Sequence, residues 1–370
     1  MNGTCQPKAR RGRDPGGSGW KRLERLRRVC AMAGDVGRVT LVDIARLAGV
    51  GVGTASRALS NAPNVSPTTR ARVREVADRL QYVVSPEASR LAKGTTGRVA
   101  VVVPHLSRWF FGAVLSGVDS VLKAADLDVL IYQVDDQRER DEFFERLPAR
   151  RKVDAVVVVG FQVDELEQKR LELMKVQIVA AGGQSAAYPF VHVDDLLASR
   201  QAMKHLVHLG HRRIGMLEAI DPDQPGLPSN RSAGYYAVVE EHQLDLDPGL
   251  VVSNQWGGNE GAESMSQLLV LDEPPTAVFA HSDEVAAGAI RTLRRAGLTP
   301  GRDISIIGID DHPIANLLDL STIRQRPDEQ GRRAARLLLD LLGHRDAGPV
   351  HLTLPTELVV RGSTERPRRI

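Results

Sequence analysis

Thr54, Ser56 and Arg57 fall within four residues of one another in the run Val52 to Leu59 (VGTASRAL), and their chemistry is that of a nucleic-acid contact. A guanidinium fork can bind guanine O6 and N7 bidentately, and hydroxyls suit phosphate oxygens. Chemistry of other kinds finds no support. The sequences GGNEG and GTTG are not in the strand-to-helix context of a phosphate-cradling loop, and there is no P-loop, nucleophile elbow or paired His/Cys arrangement. His205, His208 and His211 lie on or just past one helix without an acidic cluster to complete a metal site, so they are expected at the surface. No catalytic residue, cofactor or metal is assigned.

The elements that must position Arg57 are legible around it. Leu41 to Ala48 is apolar at Leu41, Ile44, Ala45 and Ala48, the spacing of a short amphipathic helix. Thr40 can cap it and Asp43 can answer three residues on, as a capping box does. Gly49 suits a sharp turn because it tolerates positive φ. A second helix over Val52 to Leu59 then completes a helix-turn-helix, although the same pair would also serve as the corner of a helical bundle. Ser66-Pro67, an N-cap followed by proline at the first helical position, opens a third helix to about Leu80.

The stretch VDIARLAGVGVGTASRALSNAPNVSPTTRARVREVADRLQYV resembles the headpiece of the LacI/GalR family of bacterial transcription regulators, nearly without gaps. The resemblance implies base reading by Val52, Gly53 and Arg57, with Thr54 and Ser56 nearer the phosphates, and phosphate contacts at Thr40, Ser66, Thr69 and Tyr82. Val52 can meet a thymine methyl, whereas Gly53 offers no side chain. Gly51 replaces the usual serine at the N-cap of the recognition helix. The segment YVVSPEASRLAKG after the third helix then corresponds to a hinge that becomes helical on DNA, with Leu91 inserting into the minor groove and Ala88 against its dimer mate. An apolar wedge of this kind unstacks a base step and kinks the duplex. The usual proline-asparagine pair is Val84-Ser85 here, and Pro86 comes two residues late.

Charge is distributed in the same sense. Residues 1–94 hold eighteen Lys and Arg against seven Asp and Glu, a balance of +11, while the whole chain is only +3, which leaves −8 for the remainder. A basic head on an acidic body fits binding to nucleic acid through the head alone. Residues 1–37 are Arg- and Gly-rich and read as a disordered extension, with Met32 a possible alternative start. The N-terminus lacks the apolar core of a secretory signal and no run of about eighteen apolar residues occurs, so a cytoplasmic protein without a membrane partner is expected. Cys5 and Cys30, the two cysteines, can build neither a disulfide framework nor a zinc site.

From Arg98 the texture changes to short apolar runs separated by helical segments: 99–104, 127–133, 153–160, 176–182, 190–193, 212–219, 276–280 and 304–310. Such runs imply parallel sheets covered on both faces. The expected organisation is an all-α helix-turn-helix headpiece (38–83), a hinge (84–97) and an α/β core (98–370) of two doubly wound subdomains. These span about 98–194 and 195–323, with C-terminal segments crossing back. This resembles the periplasmic-sugar-binding fold that the family uses as a regulatory core, and the landmarks VDDLLASRQAMKHLVHLGHRRIGML and AHSDEVAAGAIRTLRRAGLTPGRDISIIGIDD strengthen it.

Ligands of open α/β sheets bind outside the carboxyl ends of the strands. Phe111, Arg231, Trp256, Asp283 and Asp310 all sit just after expected strands or at the helix starts that follow them. The resemblance implies effector contacts at Arg231 and Asp310, stacking at Trp256 and Phe111, and hydroxyl acceptance at Asp283. Plainer roles stand beside these: Asp283 as a helix cap, Asp310 as a strand terminator and Phe111 as core. The function so implied is a homodimeric repressor of a pseudo-palindromic double-stranded DNA operator, controlled by a small effector such as a sugar. A solute-binding protein without DNA function is the alternative.

Overall fold

The computed structural model describes residues 39–82, 94–182, 188–220, 229–245, 247–343 and 351–368. The expected N-terminal extension and the hinge positions Ala88 and Leu91 lie outside the described residues. The chain divides into two compact units, residues 1–94 and 95–370.

In the first unit, α1 (Leu41–Leu47), α2 (Val52–Leu59) and α3 (Pro67–Arg79) surround a core of Ile44, Ala45, Ala48, Ala55, Ala58, Val65, Val73, Val76 and Ala77. Five of those nine side chains are alanines, which lets short helices cross closely while burying little area each. The capping box is present. The Thr40 hydroxyl accepts from the Asp43 backbone N–H at 3.3 Å, and Asp43 Oδ2 accepts from the Thr40 N–H at 3.1 Å. Gly49 has φ +63°, so the turn between α1 and α2 uses the left-handed conformation that glycine adopts without strain.

The second unit holds two six-stranded sheets. The first lobe contains β1 (Arg98–Val103), β2 (Asp128–Gln133), β3 (Ala155–Val159), β4 (Gln177–Ala181), β5 (Phe190–Val193) and β11 (His351–Leu354), in the order β11-β5-β4-β3-β1-β2, all parallel. Its helices are α4 (Trp109–Ala124), α5 (Gln137–Arg146), α6 (Glu165–Glu172) and, returning from the C-terminal part of the chain, α12 (Pro327–Leu342). The second lobe contains β6 (Ile214–Ala219), β7 (Val251–Asn254), β8 (Ala277–Ala280), β9 (Ser305–Asp310), β10 (Ser321–Arg324) and β12 (Glu357–Val359), in the order β12-β10-β9-β8-β6-β7. Only β12 runs antiparallel to its neighbour. Its helices are α7 (Asp195–Leu209), α8 (Asn230–Glu241), α9 (Gly258–Leu269), α10 (Asp283–Arg295) and the short α11 (Pro313–Leu318).

The apolar runs at the sheet centres are strands because both faces are covered. Val99, Val101 and Val103 enter one buried cluster with α4 and α12, while Ala100 and Val102 enter another on the opposite face. The chain passes between the lobes from β5 to α7, from β10 to α12 and from β11 to β12. β10, β11 and β12 were not among the apolar runs: β11 and β12 are short and half-exposed, and buried β10 carries Ser321 and Thr322 where an apolar run would need aliphatic side chains.

His211 corrects a sequence expectation. It is 1% exposed. One ring nitrogen pairs with Thr276 at 2.9 Å, and the other with Ser305 at 3.1 Å and the Glu365 carbonyl at 2.8 Å, so it ties the C-terminal segment to the second lobe. His205 is half-buried on Thr364, and only His208 is exposed. Among the described residues no helix is long and apolar enough to cross a membrane, and no group of three or more His, Cys, Asp or Glu could hold a metal ion.

Candidate functional site

The helix α2 divides cleanly. Ala55 and Ala58 are buried against the headpiece core, Val52, Gly53 and Arg57 are exposed, and Thr54 and Ser56 are half-buried along the flanks. Val52 leaves 44% of its surface open at the helix start, where an apolar side chain has no internal reason to be. Arg57 bonds the Gly53 carbonyl through Nε at 3.1 Å, which steers the side chain along the helix toward its N-terminus. Gly51 occupies the N-cap in an extended conformation, without a side-chain cap.

The expected phosphate contacts lie around this face. Ser66 caps α3, accepting from the Thr69 N–H at 3.2 Å and donating to the Thr69 hydroxyl at 2.8 Å. Thr40 begins α1, and half-buried Tyr82 packs on the headpiece core. Arg70 and Arg74 were not singled out from sequence, and both fasten the loop between α2 and α3. Arg70 donates to the Ala62 carbonyl at 2.6 Å, and Arg74 to Asn61 Oδ1 at 2.5 Å.

In the second unit a charged cluster forms at the carboxyl ends of β6, β8 and β9. Arg231, in the first turn of α8, donates from Nε to Asp195 at 2.7 Å and from Nη1 to the His281 carbonyl, and its Nη2 lies 3.8 Å from Asp310 Oδ1. Its guanidinium also lies 5.8 Å from the centroid of Trp256, whose ring is 5.7 Å from the guanidinium of Arg108. Arg108 comes from the first lobe and Trp256 from the second, so the cluster draws on both. Asp310 ends β9 with φ +130°, a strained backbone of the kind stored at functional sites, costing about 1–3 kcal/mol. Burial pushes its carboxyl up to about 7, with Arg231 opposing.

Arg231, Trp256 and Asp310 are thus brought together. Asp283 is adjacent in chemistry but spoken for. It is fully buried, with Oδ1 accepting from the Thr322 hydroxyl at 2.7 Å and Oδ2 from the His312 N–H at 2.8 Å. Ser282, not Asp283, caps α10. Burial and the neighbouring charge of Asp310 hold the Asp283 carboxyl well above the usual carboxylate range. Phe111 is 8% exposed within the core of the first lobe, edge-on to Phe110 at 5.3 Å and to His105 at 6.1 Å between centroids.

Sequence reasoning missed Asp195, His281, Gln325 and His312, because each acts through a partner distant in the chain. His281 is fully buried. Its Nδ1 accepts from the Ala219 N–H at 3.2 Å, which places the proton on Nε2, facing the Ser232 hydroxyl at 3.3 Å; Ser232 in turn donates to Glu218 at 2.5 Å. Burial, with help from Arg231, lowers its pKa to about 3, so the ring is neutral. What results is a polar cluster with one neutralised cation, several acceptors and an aromatic plane, the mixture that polyhydroxylated ligands require.

Comparison with known proteins agrees with both halves. Residues 40–85 match the model of bacterial regulatory proteins of the lacI family, and residues 203–364 match that of the periplasmic binding protein-like domain. The HTH-type transcriptional repressor CytR of Escherichia coli (strain K12) is 32% identical over 331 residues, covering 88% of this chain and 96% of its own. A structure of the transcriptional regulator CelR with cellobiose is 29% identical, with a TM-score of 0.65, and covers 88% of this chain and all of the other. The Lac repressor dimer bound to operator and the anti-inducer ONPF shares the fold with a TM-score of 0.77 at 24% identity, over 89% of this chain and all of the other. With a lacI-type headpiece, a periplasmic-binding-protein-like core and a relative of this similarity along nearly its whole length, the chain belongs to the LacI family of bacterial DNA-binding transcription regulators.

Proposed function

We propose that the protein is a cytoplasmic repressor that binds a pseudo-palindromic operator as a homodimer and is switched by a small polyhydroxylated effector, a sugar or sugar derivative. The observation that carries the reading is the cluster of Arg231, Asp310, Asp195 and Trp256 at the strand ends, in a chain whose headpiece exposes Val52 and Arg57 on a short helix. Arg231 and Asp310 bridge ring hydroxyls, Trp256 stacks on the C–H face of the sugar, and Asp283 holds the loop from which Asp310 projects. Phe111 supports the site from the first-lobe core.

Two headpieces on a twofold axis place two α2 helices in successive major grooves. Val52, Gly53 and Arg57 face the bases, with Thr54, Ser56, Thr40, Ser66, Thr69 and Tyr82 toward the phosphates. On this reading residues 84–97 form the hinge, with Ala88 against its partner copy and Leu91 as the minor-groove wedge. Effector and operator shift each other's affinity by the same factor, since coupling is reciprocal.

CelR, a relative in fold, was solved with cellobiose, which favours a carbohydrate in the cleft. A gel-shift titration against the DNA upstream of the protein's own gene, repeated with a panel of sugars, tests the reading. Salt-sensitive, saturable binding that one sugar alters supports it, and failure to bind that DNA better than a scrambled duplex refutes it.

A further inference from the structure

A hydrogen-bond relay begins at the Arg231 cluster and ends in the first lobe. Asp310 Oδ1 accepts from Gln325 Nε2 at 2.6 Å, and Gln325 Oε1 accepts from Gln330 Nε2 at 2.9 Å. In both bonds the amide NH2 points toward Asp310, Gln325 donating to its carboxyl and Gln330 donating to Gln325. What remains at the far end is the Gln330 carbonyl oxygen. Gln330 is fully buried, and this Oε1 has no hydrogen-bond partner among the described residues. Native interiors rarely leave such an acceptor unmet, and each instance calls for a cause.

Its location supplies one. A side-chain carbon at Gly182 would sit 3.7 Å from Gln330 Oε1 and 2.7 Å from the rim of Phe110. Gly182 follows the carboxyl end of β4, and Phe110 lies in the first turn of α4, which follows β1. The open acceptor therefore sits at the strand ends of the first lobe, where ligands of open α/β sheets bind. Gly182, with φ +70°, brings no side chain of its own to that spot, which the Phe110 ring borders.

We propose that Gln330 is an effector-specificity residue, its Oε1 receiving a hydroxyl or N–H donor of the effector beside the Phe110 ring. This rests on the reading of the cleft as an effector site. The effector then touches both lobes, Arg231 and Asp310 on one and Gln330 on the other, through groups already joined by Gln325. A phosphate or carboxylate cannot occupy the Gln330 position, because its lone pairs would face those of the carbonyl. The group that the effector presents to Gln330 is therefore a neutral or cationic donor.

The test uses the full chain, with D-ribose, D-glucose, cellobiose and their singly deoxygenated analogues, followed by thermal shift and calorimetry. Gln330→Leu removes the carbonyl at nearly constant volume, and Gln330→Met serves the same comparison if the leucine variant does not fold. The variant should lower the melting temperature of the free protein modestly, because Gln325 Oε1 loses its donor, and weaken binding of the responsive sugar roughly tenfold. The one deoxy analogue that lacks the docking hydroxyl should bind wild type and variant alike. A responsive sugar that binds the variant with unchanged affinity overturns this assignment alone. If no sugar shifts the wild type, the sugar reading of the cleft falls and the assignment falls with it.

Discussion

Trp109 of the first lobe meets His312 of the second edge-to-face, with ring centroids 4.8 Å apart and planes at 63°. Neither belongs to the core of its own lobe, so the contact acts between lobes, beside Arg108 over Trp256. An aromatic pair of this kind contributes about 0.5–1.5 kcal/mol beyond its area. Trp109→Ala is therefore expected to leave each lobe folded while letting the lobes separate more often. Amides at the start of α11 should exchange roughly two- to tenfold faster in the variant. Exchange that is unchanged there would mean that the contact holds nothing shut.

Arg57 is exposed on α2, and the side-chain hydrogen bond it makes among the described residues is to a backbone carbonyl, not to an acid. It is free to trade that bond for a guanine. Arg57→Ala should cost about 1–3 kcal/mol on the specific operator and far less on random duplex, because base discrimination and not phosphate contact is lost. Because Arg57 is exposed, the melting of the headpiece should barely move. Equal losses on both DNAs, measured at one salt concentration, would refute the base-reading role.

How much of this was legible in the sequence depends on how local each signal is. The capping box of Thr40 and Asp43, the turn at Gly49 and the Ser66-Pro67 helix start are contacts across three residues or fewer, and they stand where spacing put them. The valine runs of β1 and β3 were equally plain, because a strand covered on both faces carries no polar residue to confuse it. Long-range partners left no such trace. Asp283 looks the same in sequence whether its carboxylate points into a cleft or onto Thr322, 39 residues away. His211 gives no hint of meeting Glu365, and Gln330 reads as an ordinary polar helical residue until α12 is seen to pack into the other lobe.

Gly331 marks a place where backbone meets backbone. A Cβ there would drive into the Val114 carbonyl, and one at Gly117 into that of Asp328, so α4 and α12 touch through two glycines. The obstacle is main chain and cannot rotate away. Gly331→Ala should therefore destabilise the first lobe by about 1–3 kcal/mol or more, despite the better helix propensity of alanine. Gly49→Ala, whose Cβ meets nothing within 4 Å, should cost only the left-handed strain, about 1–2 kcal/mol, and only in the headpiece. Urea titrations followed by hydrogen exchange would separate the two, and an equal effect on both units would contradict the packing account.

His281 makes the core sensitive to acid. Its folded pKa, about 3, lies below the 6.5 of an unperturbed histidine, so below pH 6.5 the unfolded chain takes up a proton that the folded one refuses. The stability it supports is intact above pH 6.5 and is lost as pH falls toward 3, with a slope of up to about 1.4 kcal/mol per pH unit. His211, lowered in the same direction by burial, adds to that slope. Asp310 works oppositely. Raised by burial to about 7 amid Arg231, Asp195, Glu284 and Asp283, it keeps a proton in the fold that an unfolded aspartate has shed, so stability falls as pH rises from about 4 to 7. His281→Gln should therefore flatten the acid limb between pH 6.5 and 5, whereas Asp310→Asn should steepen it by removing the opposing proton. Urea midpoints at half-unit steps of pH would show both changes. Parallel curves for wild type and His281→Gln would mean that the ring is protonated in the folded protein.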